Sequence, residues 1–93
     1  MDTVKLKIHA ELLEQAIQEN IGKSEAVDWL AEYRPLLKAI SDAKAARIDE
    51  PYDLGLGRWE MESNIQETRD VSHRLAEFEL LLGGWGLPSE NGT

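Results

Sequence analysis

Apolar residues recur at helical spacing along most of the chain. Leu12, Leu13, Ala16 and Ile17 form a first run, and Ala26, Leu30, Tyr33, Leu37 and Ile40 a second. Met61, Ile65, Thr68, Val71 or Ser72, Leu75, Phe78 or Glu79, and Leu82 form a third. Steps of three and four keep such positions on one face of a 3.6-residue helix, so three helical segments are predicted. The start is ambiguous. Val4, Leu6 and Ile8 alternate with Lys5, Lys7 and His9 in the period of a strand. A lone strand has no second strand in this chain to pair with. Residues 3–8 therefore read preferentially as the first turns of a helix capped near Asp2 or Thr3.

Asn20-Ile21-Gly22 ends the first helix, with Gly22 suited to the left-handed residue after a helix end. Ser24 is a good N-cap for the second, and Glu25 and Asp28 place negative charge near its positive end. Pro35 removes a backbone bond and clashes with the preceding turn. The apolar register nevertheless crosses Pro35 unbroken. One helix over 25–48, kinked near residues 31–35, is therefore preferred to two helices meeting at the proline. Asp49-Glu50-Pro51 stops it. The third helix spans 57–82, with i,i+4 pairs Arg58–Glu62 and Asp70–Arg74, and ends at Gly83-Gly84. Residues 85–93 read as an irregular tail.

Residues 1–84 thus read as a single all-α domain, a short N-terminal helix against a long antiparallel helical hairpin whose first arm is kinked near Pro35. A 24-residue helix is about 36 Å long. One short helix cannot cover both apolar flanks of such a hairpin. Trp29, Leu36, Trp59, Leu80, Leu81 and Trp85 are left over, which predicts a homo-oligomer or a partner surface that completes the small bundle.

Composition adds exclusions. The 93 residues carry 10 Lys+Arg against 18 Asp+Glu, a formal charge of −8, and no cysteine. Disulfides, thiolate metal sites and a Cys nucleophile are therefore out. Direct nucleic-acid binding and attraction to anionic membranes are disfavoured, because both need clustered Lys/Arg. No apolar run approaches the ~18 residues of a membrane span, and the amino terminus has no signal-peptide core, so a soluble cytoplasmic protein is expected.

Candidate chemistry is acidic. Glu11-x-x-Glu14 and Glu25-x-x-Asp28 each place two carboxylates on one helix face, and two antiparallel helices carrying them can converge four oxygen ligands on Mg²⁺. The spacing is similar to the ExxE…ExxD arrangement of the all-α nucleotide pyrophosphohydrolases of the MazG type. That resemblance covers about residues 11–28 and implies a Mg²⁺-dependent nucleotide hydrolase. The plainer reading is that these are solvated faces. His73, with Asp70 three residues before and Glu77 four after, is expected to be a solvent-facing, salt-bridged histidine. Gly55-Leu56-Gly57 reads as a turn rather than a phosphate loop. Arg58 or Lys23 is a candidate for holding a small anion between subunits of a helical oligomer.

The linker is the least ordinary segment. Loops are normally polar, yet Pro51–Trp59 carries Tyr52, Leu54, Leu56 and Trp59. Tyr52, Leu54, Leu56, Arg58 and Trp59, with Trp85, form the candidate partner-binding set, Tyr, Trp and Arg being enriched at binding hot spots. The alternative is that Leu54 and Leu56 plug the end of the helical pair. Asp49, Glu50 and Asp53 add three uncompensated negative charges, and residues 57–82 hold six acidic against three basic side chains. The expected role is stoichiometric binding of a basic protein rather than catalysis, in the manner of immunity proteins, antitoxins and phage-encoded inhibitors of host defence, an analogy of class and not of motif. A small-ligand or nucleotide-binding oligomer and the Mg²⁺-dependent hydrolase are the alternatives.

Overall fold

The ambiguous amino-terminal stretch is helical. A computed structural model describes residues 3–84, and every regular element among them is a helix. Helix α1 spans Thr3–Asn20, α2 Glu25–Ala31, α3 Arg34–Lys44, α4 Gly57–Glu62 and α5 Arg69–Leu82, with one 3₁₀ turn at Ile65–Glu67. The expected short first helix is the longest of them. It resolves the alternating triplet by turning Leu6 inward, while Val4 and Ile8 face solvent. Leu6, Ala10, Leu13 and Ile17, spaced by four and three, form its buried stripe.

Both arms of the expected hairpin are segmented. The first is not one kinked helix. Tyr33 is extended (φ −75°, ψ 103°) and caps α3, placing Pro35 in its first turn, where no intrahelical N–H is required of it. The arm also stops short of residue 48, because Ala46 adopts φ +57°. The N–H groups of Arg47 and Ala46 then donate to the carbonyls of Asp42 (2.8 Å) and Ala43 (3.1 Å), which closes the end of α3. In the second arm Ser63 is extended (ψ 172°), and the 3₁₀ turn separates α4 from α5. Ser63 and Asn64 are residues whose side chains compete with the helical backbone. The break turns Met61, expected on the seam, out to 83% exposure.

Segmentation shortens the molecule to 32 × 29 × 23 Å. Helix α1 packs along both α5 and α3, so the two arms are joined largely through it. The core cluster includes Leu13, Val27, Leu30, Leu36, Ile65, Val71, Leu75, Phe78 and Leu82, and no polar or charged residue among the described ones is buried. Leu36 and Leu81, expected as uncovered leftovers, lie in this core. Polar ties run around it. Lys44 donates to Glu14 at 2.8 Å between α3 and α1. Glu77 accepts from Arg74 at 3.0 Å and lies 3.8 Å from His9 of α1 and 3.7 Å from His73. Arg74 thus pairs with Glu77 rather than with Asp70. No described helix is long and apolar enough to cross a membrane.

Candidate functional site

The linker is built from beneath by its own leucines. Leu54 is 5% exposed and Leu56 1%, so the two plug the end of the helical pair and are not available at the surface as partner contacts. Between them Gly55 takes φ +71°, and its N–H donates to Asp53 Oδ1 at 2.9 Å, a local turn that lets both leucines point inward. Two longer bonds fix the segment. Tyr52 N–H donates to the Leu82 carbonyl at 2.8 Å, and the Tyr33 hydroxyl donates to the Leu54 carbonyl at 3.0 Å.

Above the leucines lies an aromatic stack. The Trp29 ring is 4.9 Å from Tyr33 and 4.6 Å from Trp59, at interplanar angles of 20° and 23°. Trp29 remains 44% exposed and Tyr52 40%, whereas Trp59 is partly buried against the core. Stacked pairs contribute roughly 0.5–1.5 kcal/mol each beyond their area burial. The stack also brings α2 against α4. Arg58, from the expected set, points away with an 89% exposed side chain and pairs with Glu62 at 2.9 Å. Trp85 lies outside the described residues.

A groove of about 700 Å³ is lined by Tyr52, Asp53, Leu54, Glu60, Glu79 and Leu80 among others. Glu60 of α4 and Glu79 of α5 both line it. Glu79 Oε1 is buried and finds no hydrogen-bond partner among the described residues. Burial, the Glu60 charge and the more distant Asp53 push the Glu79 carboxyl up to about 8. Burial also raises Glu60.

The four carboxylates weighed as an alternative Mg²⁺ site, Glu11, Glu14, Glu25 and Asp28, do not converge. Asp28 accepts the Gly22 N–H at 2.8 Å, which ties the α1–α2 turn, and Glu14 accepts from Lys44. Glu11 and Glu25 are exposed. Among the described residues no group of three or more His, Asp and Glu side chains is placed to hold a metal ion. His73 is solvent-facing, as expected, with a 73% exposed side chain. A wider groove of about 800 Å³ between α1 and α5 is lined by Gln15, Glu19, Gln66, Arg69, Asp70 and His73, a mixture of both charges that includes none of the expected site residues.

Sequence reasoning missed Tyr33, Glu60 and Glu79 as members of this region. A signal existed for Glu79, an acidic residue that competes with Phe78 for the apolar seam. None existed for Glu60, whose neighbour on the groove, Glu79, lies 19 residues away across a break that periodicity does not reveal. No protein-family model, curated protein or solved structure matches this chain.

Proposed function

We propose that this chain acts by stoichiometric binding of a basic partner protein, through Trp29, Tyr52 and Trp59 with the acidic groove that Tyr52 lines. The observation that carries the reading is the exposed Trp29, stacked with Tyr33 and Trp59, together with a groove lined by Tyr52 whose described charged side chains, Asp53, Glu60 and Glu79, are all acidic. A pre-ordered aromatic loses little conformational entropy on binding, and an acidic rim steers a cationic surface onto it. Leu54 and Leu56 take a supporting part by setting the height of the loop. Exposed Val4, Ile8 and Leu37 leave room for self-association as well.

The test is a capture experiment with the full chain and a Trp29→Ala/Tyr52→Ala variant, with circular dichroism confirming that the variant is folded. The expected result is a specific basic protein retained by the parent chain and lost by the variant. Identical capture by both would remove this face from consideration. Light scattering at the same concentrations measures the oligomeric state, and a mass equal to one chain would dismiss the homo-oligomer.

A further inference from the structure

We infer that the outer face of α1 is the seat of a second copy of this chain, the two α1 helices pairing antiparallel about a two-fold axis beside Ile8. This goes beyond the proposed partner binding and uses none of its residues. The apolar part of the face is Val4, Ile8 and Leu12. Val4 is 66% exposed and Ile8 48%, while Leu12 is half-buried. Spaced by four, they form one ridge of the kind through which helices pack. Leu6, Ala10, Leu13 and Ile17 take the core side of the same helix, which leaves Val4 and Ile8 uncovered by the described residues. At its far end the ridge meets the wider groove between α1 and α5, where Leu12 shares the lining with Ala16 and Ala76.

Charge identifies the occupant. Lys7 and Glu11 flank the ridge on one side, and both are exposed. Neither side chain forms a hydrogen bond or ion pair among the described residues. Glu11 acts on Lys44 of α3 only from farther off, behind Glu14, which holds that amine at 2.8 Å. At about 1.5 Å per residue, Val4 and Leu12 stand about 6 Å to either side of Ile8. Antiparallel pairing about Ile8 therefore sets Ile8 on its own copy and each Val4 against the other Leu12, at the mouth of the groove. The same operation brings each Lys7 within about 3 Å, measured along the helix, of the other Glu11 on the same flank. Two reciprocal ion pairs result. Parallel pairing would instead oppose Lys7 to Lys7 and Glu11 to Glu11, which is unfavourable. A patch used twice in this way is the isologous contact usual for two-fold dimers. The groove rim mixes Glu19 and Asp70 with Arg69 and Arg74, so it offers no single-sign field to a basic protein. Three apolar residues a side make less than a standard interface, which places the dimer in the weak, exchanging class.

The chain has no cysteine, so a single introduced thiol reports on its own surroundings. Ile8→Cys puts two thiols beside the axis, within the reach of a disulfide. Gln18→Cys, exposed on the same helix, stands about 15 Å from the axis. Under mild oxidation the full chain carrying Ile8→Cys should form the covalent dimer roughly tenfold faster than the one carrying Gln18→Cys. Sedimentation of the parent chain at millimolar concentration should show a reversible dimer. Ile8→Asp, with circular dichroism confirming the fold, should remove it by setting two carboxylates on the axis. Lys7→Glu should weaken the dimer, and Lys7→Glu/Glu11→Lys should restore it, because the reversal keeps both ion pairs. Lys7→Glu/Glu25→Lys has the same net charge without the complement and should stay weak. Equal cross-linking of the two cysteine variants, a dimer unaffected by Ile8→Asp, or no recovery on charge reversal would overturn the inference. So would a chain that stays monomeric at millimolar concentration, whatever other protein this face retains. None of these variants alters Trp29, Tyr52 or Trp59, so failure here is distinct from failure of the proposed function.

Discussion

Ala46 holds a left-handed backbone, φ +57°, at the end of α3, a position that glycine usually takes. An L side chain there costs about 1–2 kcal/mol. Ala46→Gly should therefore stabilise the chain by up to about 1 kcal/mol, since the greater freedom of glycine when unfolded offsets part of the relief. Chemical denaturation checks this, and a lower midpoint would contradict the strain. Glu79 gives a second prediction at this scale. Its folded value of about 8 lies above the ordinary 4.5, so the folded state binds more protons than the unfolded one between those limits. The contribution of Glu79 is therefore greatest below about pH 4.5, declines as pH rises, and levels off above about 8. Thermal melts should show Glu79→Gln little different from the parent at pH 5 but more stable at pH 8.5. Each kcal/mol of relief raises Tm by roughly 4–8 °C. Equal differences at both values would mean that the carboxyl is not perturbed. Neither residue could be recognised from its neighbours in sequence, because one depends on a dihedral angle and the other on a partner across the fold.

Elements here are shorter than their apolar periodicity suggests. The register that crosses Pro35 is real, since Leu30, Leu36 and Ile40 are all buried. Periodicity reports which side faces the core, and it survives an extended residue that reorients the axis. The joint between α2 and α3 is held by Tyr33, which caps α3, stacks on Trp29 and donates to the Leu54 carbonyl. Tyr33→Phe retains the ring and removes the hydroxyl. The expected cost is about 0.5–1.5 kcal/mol, with the indole signal of the stack preserved and proteolysis of the 49–56 linker accelerated. An unchanged cleavage rate would show that the Leu82–Tyr52 backbone bond alone fixes the loop. Ser24 teaches the same lesson from the other direction. It occupies the N-cap position of α2, yet its hydroxyl makes no capping bond and is buried without a partner among the described residues.

At the scale of the molecule, an apolar core carries the fold and an acidic surface opposes it. The described buried residues are all hydrophobic, while the formal charge is −8. Self-repulsion of that surface weakens the compact state. Raising NaCl from about 0.1 to about 1 M shortens the screening length from about 10 to about 3 Å. Tm should therefore rise by several degrees at pH 7. A fall would mean that exposed pairs such as Lys44–Glu14 and Arg58–Glu62 outweigh the general repulsion, contrary to the small value usual for surface ion pairs. The acidic residues that share a groove with Tyr52, namely Asp53, Glu60 and Glu79, underlie the proposed preference for a basic partner.

The sequence by itself determined the fold class and most of the core, because burial of an apolar stripe at helical spacing is a local property of the chain. It also marked the linker as unusual, since four large apolar residues in a connecting segment must either plug the fold or face a partner. Only the tertiary structure decided which of them are covered, burying Leu54 and Leu56 while leaving Tyr52 exposed. It alone divided the two arms, set α1 against both, and brought Glu60 and Glu79 together. The physical reason is that breaks and pairings depend on groups far apart along the chain. Their energies arise only once the core has chosen which faces meet.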